Sequence, residues 1–329
     1  MKTSIAIIGA GIAGITLARN LSAHADVTVF EKSRGLGGRM ANRRREGFSF
    51  DHGAQYFTAR SPAFKAAAQG AVEAGHAGIW PKAVHTLKAD GLVTDTRPLE
   101  PRYIGLPGMS GFANGLAEGL EIRKEATVAR LAASGAGWVL TDNEDKDLGR
   151  FDLVISTAPA PQTIRLMPEA FSAHAALKSV EMSGCFTLMI GLDVPLDLGF
   201  DAARIEDPVL SWIAVEASKP GRSEKTALTI HSRNDWAEAN LEGDRGEIQA
   251  EMLQSLKRLL GRDFSTAAWL DLHRWRYANV EQAVGEPFLF DDNLGLGACG
   301  DWCLGNRVEA AAESALALSE MLIARLQGA

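Results

Sequence analysis

The first thirty residues switch from a strand pattern to a helix pattern and back. Ser4-Ile-Ala-Ile-Ile8 is a continuous short apolar run, as expected of a parallel strand covered on both faces. Three glycines follow, and then Ile15, Leu17, Ala18 and Leu21 recur at helical spacing. Val27-Thr-Val-Phe30 predicts a second strand, ending at Glu31. The chain therefore opens as a βαβ unit.

Further on, the pattern predicts an alanine-rich helix from Ser61 to about Gly78, short strands and turns over 84–103, and a helix from Pro107 to about Leu120. Residues 121–131 and 137–142 alternate like the arms of a hairpin, with Ser134-Gly-Ala-Gly137 as its turn. Phe151 to Ser156 is another buried-strand run, stopped by Thr157-Ala-Pro-Ala-Pro161. Strand-like runs at 186–192, 210–215 and 227–231 lie among prolines and glycines, and an amphipathic helix covers 246–260. A strand over 294–299 and a helix from Val308 to about Leu326 close the chain. Dinucleotide-type signals thus stand at both ends with β-rich sequence between them. The expected fold is α/β: a Rossmann-like dinucleotide-binding domain with an inserted mixed or antiparallel β-sheet plus helix domain. Its expected boundaries are 1–60, 107–165 and 285–329 for the first, and 61–106 with 166–284 for the second.

Composition narrows the function. The chain of 329 residues is 46% hydrophobic, enough for a sizeable core, and carries a net charge of −7. That balance argues against nucleic acid as a partner. Only three cysteines occur, Cys185, Cys299 and Cys303, with neither a disulfide framework nor zinc spacing, so no metal and a reducing cytoplasm are expected. The apolar run from Ser4 to Ala18 could pass for a signal peptide, but glycines interrupt it and it falls short of the ~20 residues that span a bilayer. No membrane association is expected.

Chemistry concentrates in glycines. Gly9-Ala-Gly11-Ile-Ala-Gly14 sits between strand and helix. Gly9 permits the tight turn, Gly11 lets backbone approach a pyrophosphate, and Gly14 lets the helix pack close. The helix start offers free N–H groups to the phosphate charge. Glu31 suits both ribose hydroxyls. Three features favour FAD over NAD: a second glycine turn ending in Gly38 and Arg39, Val128 as a backbone partner for adenine, and Asp301 ahead of a helix start at Val308, Glu309 and Ala310. N–H groups there would face the flavin edge that turns negative on reduction.

These blocks, with Asp51-His-Gly-Ala-Gln-Tyr-Phe-Thr58, Pro107-Gly-Met109, Gly300-Asp-Trp-Cys303 and His273-Arg-Trp275, resemble the bacterial renalase family over nearly the whole chain. The resemblance implies a p-hydroxybenzoate hydroxylase-like fold and non-covalent FAD. It also implies oxidation of mis-reduced dihydro-NAD(P) isomers, chiefly 1,2-dihydro-NAD, with O2 reduced to H2O2. Carried over by position, the FAD contacts are Ala13, Glu31, Lys32, Arg39, Gln55, Tyr56, Val128, Asp301 and the 308–310 backbone. Hydride transfer needs positioning more than acid–base groups, so the pocket candidates are Gln55, Tyr56, His273 and Trp302. His273 reads equally as a satisfied strand histidine, and Trp302 as a core aromatic. Trp212, Trp236, His231 and Trp275 are candidates for an aromatic wall. Arg43 to Arg45 read as a solvated turn or as part of an anion site. Two other functions stay open: a flavin amine oxidase or desaturase-like dehydrogenase on another small donor, and a non-catalytic FAD scaffold or sensor.

Overall fold

The computed structural model describes residues 2–94 and 100–328. Residues 95–99, inside the stretch expected as short strands and turns, lie outside the described residues. Two large sheets organise the chain. The first has six strands in the order Leu289–Asp291, Leu296–Ala298, Leu153–Ser156, Ser4–Ile8, Asp26–Glu31 and Ile122–Lys124. All its neighbours are parallel except the first two. The apolar runs at 4–8 and 153–156 occupy the centre, where both faces are covered. Ile5, Ile7, Val154 and Ile155 are fully buried as a result. Helices Ile12–Leu21 and Val308–Gly328 pack against each other on this sheet, with Ile15, Leu17, Leu318 and Leu322 in one core.

The second sheet has seven strands in the order Trp269–Gln282, Glu181–Leu192, Thr226–Ser232, Leu210–Val215, Ala202–Ile205, His85–Lys88 and Gly91–Thr94. It is antiparallel except for one parallel contact, between Ala202–Ile205 and His85–Lys88. One face is apolar. Phe186, Leu188, Ile190, Leu228, Ile230 and Ile213 meet Ile248, Met252 and Leu256 of the helix Arg245–Leu260. Each such aliphatic burial stabilises by roughly 1.5–3 kcal/mol relative to exposure. Asp244 caps that helix by accepting from Gly246 N–H and Glu247 N–H, and Gly261 ends it at φ +64°. The opposite face of this sheet is polar, and it fronts the cavity described below.

Several elements differ from the sequence pattern. The expected 121–131 strand is two: Ile122–Lys124 extends the parallel sheet, and Arg130–Ser134 begins a three-stranded antiparallel sheet completed by Gly137–Thr141 and Asp147–Phe151. Val128 lies on the crossing between them. Alternation alone could not show that break. The stretch 61–106 also divides. Its helix Pro62–Glu73 places Phe64, Ala68 and Ala71 in the core beneath the parallel sheet, while His85–Lys88 and Gly91–Thr94 join the seven-stranded sheet. Among the described residues, no helix is long and apolar enough to cross a membrane.

Candidate active site

A cavity of about 1930 Å³ lies between the glycine turns of the parallel sheet and the polar face of the seven-stranded one. At its parallel-sheet end Gly9 takes φ +109°, a left-handed conformation that glycine adopts without strain. A Cβ on Gly14 would sit 1.9 Å from the Gly9 carbonyl oxygen, so only glycine lets helix and turn approach this closely. A Cβ on Gly11 would meet nothing within 4 Å. Among the described residues no side chain caps the helix that Gly11 begins, which leaves its first N–H groups free for an anion. Glu31 accepts from Ala10 N–H and Ser33 N–H, both at 2.8 Å, one on each carboxylate oxygen. A lone pair on each oxygen stays available for hydroxyls.

The second glycine turn and the C-terminal motif meet directly. Arg39 donates to both Asp301 oxygens, at 2.6 and 2.8 Å. This fork-to-fork pair fixes two cavity walls that are distant in sequence.

Strand register builds the opposite wall. His273 pairs with Thr187, Thr187 with His231, His231 with Trp212, and Trp212 with Arg204. All five line the cavity. Beside this row, His52 stacks on Trp275 with ring centres 5.3 Å apart, and its ring edge meets His273 at 4.9 Å. The His52 carbonyl accepts from Thr187 Oγ1 and Trp275 Nε1, each at 2.8 Å. Its buried Nδ1 has no partner among the described residues. Burial and neighbouring cations hold these imidazoles neutral. His52 is lowered to about 3 by burial, then by His273 and Arg43; His231 to about 3 by burial, then Lys219; and His273 to about 4 by burial, then Arg43.

A buried ionic group stands behind this wall. Lys219 Nζ lies 3.1 Å from Asp51 and 3.2 Å from Glu216, and Arg222 reaches Asp51 at 2.6 Å. Asn42 Nδ2 and Met109 N–H also donate to Asp51. Burial pushes the Asp51 carboxyl up, but Lys219 and Arg222 outweigh it and the carboxyl ends below its ordinary value. Glu216 goes the other way, raised chiefly by burial.

The cavity is strongly basic in an acidic chain. Arg34, Arg39, Arg43, Arg44, Arg45, Arg165, Arg204, Arg274, Arg276, Arg307 and Lys32 line it, against only Glu31, Asp271 and Asp301.

The sequence matches the NAD(P)-binding Rossmann-like domain over residues 7–69 and the flavin-containing amine oxidoreductase family over residues 67–289. The chain belongs to the flavin-containing amine oxidoreductases. Mouse renalase is 24% identical over 315 residues, covering 86% of each chain. Among solved structures, a proposed protoporphyrinogen oxidase from Exiguobacterium sp. 255-15 superposes with TM-score 0.80 at 14% identity over 99% of both chains. Wild-type putrescine oxidase bound to putrescine gives TM-score 0.70 at 13% identity over 98% of this chain and 99% of that one. These likenesses show the expected Rossmann-like α/β flavoprotein fold. Family membership makes this protein an FAD-dependent oxidoreductase acting on a small molecule.

The flavoprotein's own residues fit FAD. The open space over Gly11, the free helix N-terminus and the two-oxygen acceptor Glu31 form a cradle of the right chemistry at one end of the cavity. Of the residues singled out in the sequence, Gly9, Gly11, Ala13, Glu31, Lys32, Gly38, Arg39, Gln55, Tyr56, Val128, His273, Asp301 and Val308 line it. Gly14 lies behind the lining, where it serves the packing of the turn.

Four side chains singled out in the sequence are placed elsewhere. Trp302 is fully buried in the core with Phe30 and Trp138, its Nε1 donating to Ala158 O at 3.0 Å. It is a core aromatic and not a pocket residue, because the short helix Asp301–Leu304 turns its ring inward. Ala310 is likewise core. The Glu309 carboxylate is turned from the cavity, accepting from Arg60 N–H and Ser61 N–H at 2.7 Å just ahead of the helix Pro62–Glu73. Trp236 also leaves the proposed wall, packing edge-on against Phe186 on the far side of the sheet. Cys299 and Cys303 are free and buried, and burial pushes Cys303 up to about 12. They are poor candidates for redox chemistry.

Sequence reading missed Thr187, Arg204, Glu216, Lys219 and Arg222. Thr229 and His231 alternate with Leu228 and Ile230, which was a signal for a two-faced strand. Lys219 and Arg222 had no such signal, since Ser-Lys-Pro-Gly-Arg reads as a solvated turn.

Proposed function

We propose that this flavoprotein is a renalase-type oxidase that converts mis-reduced dihydro-NAD(P) isomers, chiefly 1,2-dihydro-NAD, to NAD(P)+. The charge of the cavity carries this reading. A pyrophosphate-bearing substrate is attracted by Arg44, Arg45 and Arg204 on walls beyond the FAD cradle, with Arg43 and Arg274, which pair with Asp271 and Glu242, beside them. A cationic amine would be repelled by the same groups. Mouse renalase, similar over most of its length, adds weight.

In this reading FAD is held non-covalently by the Gly9–Gly14 turn, Glu31, Lys32, Gly38, Arg39, Val128, Asp301 and the helix start at Val308. When bound, FAD supplies a hydride acceptor at N5 and passes electrons to O2, giving H2O2. The proposed units are an FAD unit of 1–60, 107–165 and 285–329 joined by the helix Pro62–Glu73, and a substrate unit made of the rest of 61–106 with 166–284. The chain's residues do the positioning. Trp212, Tyr56 and Trp275 present apolar faces to a flat ring. His52, His231 and His273 stay neutral, so no imidazolium opposes the positive charge that the nicotinamide ring gains as it becomes aromatic. No side chain has to take a proton, because the departing hydride leaves none behind. Product analysis tests the proposal: NAD+ and H2O2 should appear in equal amounts from 1,2-dihydro-NAD. An amine turned over in its place would favour the amine-oxidase reading.

A further inference from the structure

The side-chain amide of Gln55 is oriented by four neighbours whose roles chemistry leaves no freedom to exchange. Its Oε1 receives Lys219 Nζ at 3.1 Å and Trp212 Nε1 at 3.2 Å. An ammonium and an indole N–H only donate, so the atom facing them must be the oxygen. Its Nε2 faces the carbonyls of Asp51 and Gly53, which only accept. Both constraints select the same orientation of the amide.

The consequence reaches the cavity wall. Gln55 Nε2 also lies 3.4 Å from His231 Nε2. An amide NH2 has two protons and cannot accept; with one shared between the neighbouring Asp51 and Gly53 carbonyls, the other is left for His231 Nε2, which then accepts, so the ring proton sits on Nδ1. His231 is only partly buried, lines the cavity, and its Nδ1 has no hydrogen bond to the described residues. Trp212 on one side and Thr187 on the other fix its place in the row.

We infer that His231 is a specificity-determining residue that donates an Nδ1–H hydrogen bond to the carbonyl oxygen of the substrate's ring carboxamide, its tautomer set by Lys219 through Gln55. The inference rests on the proposed dihydro-NAD(P) reading for the acceptor, but the tautomer relay rests on geometry alone. The low basicity of His231 agrees with it, since protonation of Nε2 would set two donors against each other. Lys219 is a positioning residue: it touches Gln55 and is not among the cavity's lining.

Ring-nitrogen NMR of the 15N-histidine-labelled holoenzyme, recorded without substrate, tests the relay. The signals lost in His231→Asn identify the residue. They should show a pyrrole-type Nδ1 and a pyridine-type Nε2 in the wild type. A pyrrole-type Nε2, or an imidazolium near neutral pH, overturns the inference and leaves the proposed function standing. Kinetics then test the acceptor. His231→Phe should raise KM for 1,2-dihydro-NAD by about tenfold, the scale of one lost hydrogen bond. His231→Asn, which keeps an N–H near the Nδ1 position, should raise it less. The thionicotinamide analogue, a weaker acceptor, should lose affinity in the wild type and not in His231→Phe. Equal KM values in all three proteins overturn the inference. A wild type that leaves dihydro-NAD unoxidised overturns the carbonyl assignment together with the proposed substrate, while the spectrum still decides the relay.

Discussion

Arg39 and Asp301, separated by 262 residues, form a two-point ion pair across the floor of the cavity. The pair ties the second glycine turn to the start of the C-terminal helices. It also holds the Asp301 carboxylate, which is largely buried, in one orientation.

Replacing Asp301 by Ala should therefore weaken FAD binding more than it weakens the fold. Asp301 would hold the ribityl or pyrophosphate part of FAD, and a charge-assisted hydrogen bond lost there is worth roughly 1.5–3 kcal/mol, or about ten- to a hundredfold in affinity. The ratio of flavin to protein absorbance after purification checks this: the variant should retain much less flavin than wild type while keeping its far-ultraviolet circular dichroism.

Two glycines in one motif should fail in different ways. Gly14→Ala places a Cβ 1.9 Å from the Gly9 oxygen and must displace backbone. It should lower Tm, with a cost on the order of 1–3 kcal/mol from overpacking. Gly11→Val meets nothing within 4 Å at its Cβ, so the apoprotein should melt almost normally. Its side chain instead fills the space a pyrophosphate would take. Thermal melts with and without added FAD should separate them, with FAD raising the Tm of Gly14→Ala and leaving Gly11→Val unmoved.

The buried ionic group gives a larger stability effect. Lys219→Met leaves Asp51 and Glu216 short of a cation in a region closed to water. Breaking one partner of a buried pair costs about 3–5 kcal/mol. Urea unfolding should show that loss, against less than about 1 kcal/mol for Lys257→Met, whose ion pair with Asp263 is at the surface.

The histidines set a pH dependence. His52, His231 and His273 have folded values of about 3, 3 and 4, below the ordinary 6.5. Between those limits the unfolded chain binds more protons than the folded one, so stability is lost as pH falls from 6.5 toward 4. It is fully present above 6.5. Tm should drop steadily across that window, and His231→Phe should flatten the drop. Over about pH 6–8, where the three rings stay neutral, log kcat/KM should show no histidine inflection.

How much of this was legible in the sequence differs by part. The βαβ opening was, because its turn chemistry is local: Gly9, Gly11, Gly14 and Glu31 declare their roles within one supersecondary unit. Trp302 could not be assigned, since Asp301 at the cavity and Trp302 in the core differ only by the direction a four-residue helix turns. The row His273, Thr187, His231, Trp212 and Arg204 joins residues from five strands through register, which no short-range pattern encodes. Lys219 was hidden for a related reason. A charged residue in a turn is ordinarily solvated, and only the tertiary placement of Asp51 and Glu216 makes its burial tolerable.

The substrate assignment is tested most directly by anaerobic mixing of the holoenzyme with 1,2-dihydro-NAD while following the flavin band near ~450 nm. Rapid bleaching, reversed by air with release of H2O2, is the predicted result. A band that stays unchanged with the dinucleotide but bleaches with an amine such as putrescine would contradict the account.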